Sequence, residues 1–254
     1  MTKPEESNRV LEETRVWNDG NLPDIVWANA GYAQPGLFAD TSIETLRAQM
    51  DINYWGAAYL AHATLNLWTK TGASSTSVSP RHFIMTSSTI AFVGLAGYAT
   101  YAPAKAAMRS LADCLRSEVN LYNGARQSGS SQGPPVDINI HIVHPGTILS
   151  PGFENEEKTK HPVTRILEKD DPKQTEDEVA LAAMKGLEHG QFMVTTQYLG
   201  NLMRVSMLGG SKRGNALFDT ILSWVTSIAW PFIAKDMDDK VFKYGKTHGL
   251  GSAS

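Results

Sequence analysis

Three short apolar runs, set apart by stretches of helical length, constrain this chain's fold more than any other feature. Residues 24–31 (DIVWANAG), 81–88 (RHFIMTSS) and 136–143 (VDINIHIV) each hold a strand's worth of apolar side chains and stop at small or turn-forming residues. After the first run, apolar residues recur at Leu46, Met50, Tyr54, Ala57 and Leu60, close to helical spacing, behind a capping box read as Thr41 at N-cap and Glu44 at N3. A Ser/Thr-rich loop over 72–80 is predicted to end that helix. Further helices are predicted over 101–122 and over 176–189, the latter opened by Thr175 and Glu178 as a capping box, with a short fourth strand over 191–196. Residues 124–135 read as a flexible surface connection. Strands separated by such helices imply parallel βαβ units with right-handed crossovers. The predicted fold class is α/β, and ligands are expected beyond the carboxyl ends of the strands.

Composition narrows the function classes. A chain of 254 residues suffices for one α/β domain, and 42% hydrophobic with 19% charged residues is a globular balance. A net charge of −3, with no basic patch interleaved with aromatics, argues for no nucleic acid partner. The single cysteine, Cys114, rules out an internal disulfide framework and, between Leu111 and Leu115, is expected in the core. Residues 1–8 are polar and acidic, with no apolar stretch of a secretory signal. One segment departs from the soluble norm: residues 221–234 (ILSWVTSIAWPFIA) carry no charge and lie between Lys212, Arg213 and Lys235, with Trp224 and Trp230 suited to a lipid–water boundary. That run is shorter than the roughly 20 residues of a spanning helix, so a C-terminal apolar helix in contact with a membrane surface is expected. A buried helix, or one that forms a homo-oligomer, is the alternative. The organisation expected is a catalytic part over 1–200 and a helical extension over 201–254.

The residues that carry chemistry fall at strand ends. Asn29, Ala30 and Gly31 close the first run, Ser87 and Ser88 the second, Pro145 and Gly146 the third. Tyr101 and Lys105, four apart at a helix start, share one face. Reducing a carbonyl needs a proton at the developing alkoxide, and a phenol is a poor donor to water chemistry at neutral pH because its ordinary pKa is about 10. A neighbouring ammonium favours the phenolate, so Tyr101 with Lys105 reads as an acid/base unit. Ser88 is placed to hold the substrate oxygen, with Ser87 as runner-up, and Asn53 on the preceding helix to keep Lys105 in position. Each piece alone is weak; four in order are specific.

Asn29-Ala-Gly31, Asn53, Ser88, Tyr101-Ala-Pro-Ala-Lys105 and Pro145-Gly146 resemble, in order and spacing, the motifs of the short-chain dehydrogenase/reductases, over about residues 25–194. Ala28 stands where that family more often has a first asparagine. The resemblance implies a Rossmann-like sheet, Tyr101 as proton donor, Lys105 binding the nicotinamide ribose, Ser88 orienting the carbonyl and Asn53 completing a tetrad. It implies a cofactor cleft lined by Asn29, Ala30 and Gly31, with Pro145, Gly146 and Ile148 flanking the nicotinamide and Ser150 near its carboxamide. Within the family, 48–54 (AQMDINY), 101–107 (YAPAKAA) and 151–160 (PGFENEEKTK) look like the fungal 3-ketodihydrosphingosine reductases. That likeness implies NADPH as cofactor, a long-chain keto-lipid substrate (3-ketosphinganine, reduced to sphinganine) and a site at the endoplasmic reticulum membrane facing the cytosol. The family's glycine-rich fingerprint should lie well before residue 29, where three strands of about 5 residues and their helices do not fit. The expectation is a chain lacking its first nucleotide-binding strands, with an unpaired sheet edge and weak NADPH binding. The stretch 209–214 (GGSKRG) is no substitute, since it neither follows a strand nor precedes the motifs. Another short-chain dehydrogenase with a different ketone, or a non-catalytic membrane module, stays open at this stage.

Overall fold

A computed structural model describes residues 2–70, 79–127, 133–207, 209 and 212–248. Four parallel strands form its main sheet in the order β1-β2-β3-β6: β1 (Ile25–Ala28), β2 (Arg81–Thr86), β3 (Ile138–His144) and β6 (Met193–Thr195). The register pairs Ala28 with Met85, Thr86 with Val143 and His144 with Thr195, so the strands' carboxyl ends lie level. Chemistry-bearing residues just past those ends therefore converge.

Both faces are covered, as a parallel sheet requires. On one, Phe83, Met85, Ile138, Ile140 and Ile142 pack with Trp68 of α3 (Gly56–Thr69) and Met108 of α4 (Ala102–Gln127). On the other, Ile84, Val143 and Val194 meet Ala183 of α7 (Glu176–Glu188). Polar residues alternate along β3, and His141 among them is buried, satisfied by His82 of the neighbouring strand at 3.0 Å and by the Gln191 carbonyl at 2.8 Å. Among the described residues, β1 is an edge strand, as expected.

Local readings differ in four places. First, residues 4–17, to which no element was assigned, form α1 (Pro4–Trp17), which buries Ser7 and Leu11 and packs on α3. Second, Ser42, not Thr41, caps α2 (Ile43–Met50): its hydroxyl accepts from the Thr45 amide, while the Thr41 hydroxyl is engaged with the Leu37 carbonyl at 2.8 Å. Third, the helix continues through a π-helical turn, Asp51–Trp55, into α3 rather than running straight. Fourth, α4 extends through Gln127, so residues 124–127 are helical; the Asn123 side chain ties its end to Ile138 of β3. Cys114 corrects a fifth reading: it is exposed, because α4 buries Lys105, Met108, Ala112 and Val119 and turns residue 114 outward. The capping box at Thr175 and Glu178 forms as expected. The loop predicted at 72–80 falls, but for its last two residues, outside the described residues, as do 128–132, 210 and 211.

Between β3 and α7 the chain makes a small second layer. Here β4 (Thr147–Leu149) pairs in parallel with β5 (Lys173–Thr175), and α5 (Pro151–Thr159) and α6 (Pro162–Leu167) lie between them. Finally, α8 (Tyr198–Ser206) packs against α9 (Ala216–His248). A buried ion pair joins them, Arg204 to Asp219 at 3.0 Å, and Asp219 also accepts the Gly214 amide at 2.8 Å. Beyond that anchor α9 leaves the body: Trp224, Ile228 and Phe232 are largely exposed. The apolar segment is longer than its uncharged core suggested. Ala216–Met237, 22 residues, is long and apolar enough by length and composition to cross a bilayer, and almost none of it is buried.

Candidate active site

The carboxyl ends of the strands open into a cavity of about 810 Å³. Asn29, Gly31, Ser88, Tyr101, Lys105 and Pro145 line it, as do Gly146, Ile148 and Ser150. Ala30 is exposed and is not among the lining residues. Asn53 is not among them either; it lies behind Gly31, fully buried.

Each site residue is held by its element. Ser88 follows β2 in an extended conformation, its hydroxyl accepting from the Ile90 amide at 3.3 Å. Its carbonyl bonds Nδ1 of the buried His144 at 3.0 Å, and His144 packs its ring on Phe92. Ser87 also lines the cavity, but its hydroxyl donates to the Lys105 carbonyl at 3.1 Å, pinning α4 to the sheet. The Ser87 hydroxyl is thereby committed to α4, which favours Ser88 over it as the substrate-holding hydroxyl.

Lys105 is buried and its ammonium lies 5.4 Å from the centre of the Tyr101 ring, donating to the Thr86 carbonyl at 3.0 Å. Burial lowers its pKa to about 8. The electrostatics of Tyr101 correct the sequence expectation of a phenol lowered by its neighbour. Burial, then the charge of Glu156, push the phenol up, and only a hydrogen bond from Ser88 pulls it down. The phenol thus stays protonated at neutral pH.

The π-helical turn explains Asn53. Widening the helix by one residue, a device that recurs at functional sites, frees a side chain to aim inward. The Asn53 carboxamide nitrogen donates to the carbonyls of Tyr32 (2.9 Å) and Gln49 (3.0 Å), while its Oδ1 is buried without a partner. Gly31 matters because a Cβ there would meet that Oδ1 at 2.6 Å and the Lys105 ammonium at 3.3 Å. Gly146 is required similarly, since a Cβ would collide with the Gln197 carboxamide. Asn29 accepts from the Thr86 hydroxyl at 2.7 Å, which accepts from the Trp27 indole. Ser150 lines the cavity and also caps α5 through the Phe153 amide.

The sequence reading missed a second wall. Tyr98, Glu156, Glu168 and Asp171 line the cavity, with the Tyr98 hydroxyl donating to Glu156. Behind them the buried Lys160 holds Glu156, Glu157 and Glu168 at 3.1, 2.6 and 2.7 Å. The stretch 151–160, noted only for its likeness, was the available signal.

A nicotinamide nucleotide fits the residues present. At Gly31, which admits no side chain, the cavity wall lies beside the Lys105 ammonium with its one hydrogen bond, and the unpartnered Oδ1 of Asn53 is buried just behind it. The comparisons agree. The short chain dehydrogenase family profile matches residues 1–161, and the chain belongs to that family. It is 46% identical to a 3-ketodihydrosphingosine reductase of Aspergillus fumigatus, over 100% of this chain and 70% of that protein. With the 3-ketodihydrosphingosine reductase of Neurospora crassa identity is 39%, over 94% of this chain and 64% of the relative. The chain thus spans roughly two thirds of the length of these curated relatives. Among solved structures, a short chain dehydrogenase from Burkholderia cenocepacia in complex with NADP superposes with a TM-score of 0.58 at 20% identity, over 83% of this chain and 74% of that one. A short-chain dehydrogenase from Streptomyces avermitilis gives 0.58 at 21%, over 92% and 78%. These last two bear on the fold alone, which is the expected Rossmann-like sheet.

Proposed function

We propose that this chain carries the catalytic site of an NADPH-dependent reductase acting on 3-ketosphinganine to give sphinganine, a step of sphingolipid synthesis. The observation that carries the reading is the convergence of Tyr101, Ser88 and Lys105 on one cavity at the carboxyl ends of a parallel sheet. Its 3-ketodihydrosphingosine reductase relatives supply the substrate class.

NADPH, when bound, supplies the hydride. Asn29, Gly31, Tyr101 and Lys105 would hold its nicotinamide ribose, with Pro145, Gly146, Ile148 and Ser150 beside the ring. The chain's own residues do the rest. Ser88 donates a hydrogen bond to the ketone oxygen and favours charge developing there. The Tyr101 phenol, kept protonated by its surroundings, gives its proton to that oxygen. Lys105 then faces the resulting phenolate, an attraction of opposite charges in a water-poor pocket. Asn53 stands behind Lys105 and fixes its side of the cavity.

A lipid ketone also suits the far end of the cavity. Leu199 and Met203 of α8 line it, and α8 packs on α9, whose exposed apolar face supports contact with a membrane surface. We infer a place at the endoplasmic reticulum membrane, on its cytosolic face, which the likeness to the 3-ketodihydrosphingosine reductases supports.

The test is loss of NADPH absorbance with 3-ketosphinganine in detergent micelles or vesicles. Turnover is expected, reduced at least about 100-fold in Tyr101→Phe, the usual scale of a positioned proton donor. Turnover of a steroid or a short ketone with none of the lipid would refute the assignment. For the membrane, vesicle flotation should fall in Trp224→Asp with Ile228→Asp, and unchanged flotation would count against α9.

A further inference from the structure

Four carboxylates, Glu156, Glu168, Asp171 and Glu176, line one side of the catalytic cavity, whereas Lys105 is the only Lys or Arg lining it among the described residues. An apolar acyl chain does not need such a wall. Lys160, the cation nearest it, is buried behind the wall and already serves three carboxylates. Glu157 shares a second cation, Arg165, at 3.4 Å. Asp171 is left over. Its backbone amide bonds the Glu168 carbonyl at 3.1 Å, and among the described residues no side-chain hydrogen bond or ion pair ends on its carboxylate. Burial, then the charge of Glu168, raise Asp171 to about 6, a rise that the charge of Lys160 opposes but does not cancel. The wall also faces the reacting position, because the charge of Glu156 reaches the Tyr101 phenol.

We propose that this acidic wall, Glu156 and Asp171 in particular, binds a protonated amine carried on the carbon next to the ketone, making the site selective for amino ketones over plain ketones. The inference rests on the reductase reading, since 3-ketosphinganine bears an amine at that carbon. It goes further by assigning the amine to named residues. It also gives the stretch 151–160 a purpose: α5 carries Glu156 to the wall and Lys160 behind it, so the wall is fixed in place and still keeps surplus negative charge. Opposite charges in a partly dry cavity favour one another far more than in water, and a charge-assisted hydrogen bond exceeds a neutral one.

The experiment measures binding, so that it does not depend on turnover. Calorimetry on the full chain compares a soluble short-chain 2-amino-1,3-diol with the same 1,3-diol lacking the amine and with its N-acetylated form. The amino diol should bind about tenfold or more tighter than either neutral ligand, the scale of one charge-assisted hydrogen bond. In Asp171→Asn, which removes no ion pair, and in Glu156→Gln, which keeps an oxygen for Tyr98, that preference should fall toward unity. Thermal melts confirm that both variants fold. Equal binding of amine and neutral ligands, or an undiminished preference in both folded variants, overturns the amine site while leaving the reductase reading intact. Binding of none of the three overturns both.

Discussion

Ser87 and Ser88 differ by one position and by everything that position implies. Ser88→Ala removes the hydroxyl proposed to hold the ketone oxygen, which also bonds the Tyr101 phenol, so turnover should fall about 100-fold with the melting point little changed. Ser87→Ala instead loses a hydrogen bond to α4, and should lower stability by about 1 kcal/mol while leaving turnover within a few-fold. Steady-state rates beside thermal melts for the two variants check the assignment, and the reverse pattern would exchange their roles. Lys105 supports a pH prediction. Its ammonium titrates near 8 while the phenol is pushed above its ordinary range, so the alkaline fall in reduction should report loss of the ammonium, beginning near pH 8. In Lys105→Arg, whose guanidinium keeps its proton to about pH 12, that limb should move upward even if the maximum rate drops. An unmoved limb would assign it to the phenol instead.

At the scale of elements, the anchor of α9 is the most exposed to test. Asp219 holds Arg204 and the Gly214 amide in a setting with both side chains buried, so Asp219→Ala strands a guanidinium. Breaking such a pair costs about 3–5 kcal/mol, and here the loss should be local. Hydrogen exchange over residues 216–224 should accelerate while β2 and β3 stay protected; uniform acceleration would mean that α9 is integral to the core. What the sequence made legible follows the same division. β1 and β2 could be read because burial on both faces demands compact apolar runs, β3 because its polar–apolar alternation stops at Pro145-Gly146, and α7 because its capping box is local chemistry. Tyr101, Lys105 and Ser88 could be read because their spacing is set by helix and strand periods. The π-helical turn at 51–55 leaves no such trace, since a one-residue widening hardly disturbs the apolar pattern. The layer of β4, β5, α5 and α6 was missed for another reason. Its strands are three residues long, and tertiary contacts hold it, such as the Thr164 hydroxyl on the Ala96 carbonyl beside Gly97. Glu156, Glu168 and Asp171 of the acidic wall belong to that layer and were hidden with it.

For the molecule as a whole, the buried groups around the site set how stability responds to acid. His144, the last residue of β3, is fully buried, donates Nδ1–H to the Ser88 carbonyl, and keeps an Nε2 without a partner. Burial holds its pKa at about 3, against about 6.5 in an unfolded chain. Between those values the unfolded chain binds a proton that the folded chain refuses, so stability rises with pH across that window and is lost on acidification from about 6.5 toward 3. The slope from this one group is at most about 1.4 kcal/mol per pH unit. Asp171 acts in the opposite sense. Raised to about 6 when folded, it binds a proton more readily in the folded chain, so its contribution declines as pH rises from about 4 to 6 and softens the net dependence. Urea midpoints at about pH 5 and about pH 7 should therefore differ less in His144→Gln than in the parent, and differ more in Asp171→Asn. The two variants separate the causes. If both left the interval unchanged, acid sensitivity would lie elsewhere, with His82 and His141, whose burial also lowers them, as the next pair to replace. If only Asp171→Asn changed it, His144 would be protonating within the fold, and the carbonyl of Ser88 would hold a cation beside the catalytic hydroxyl in acid.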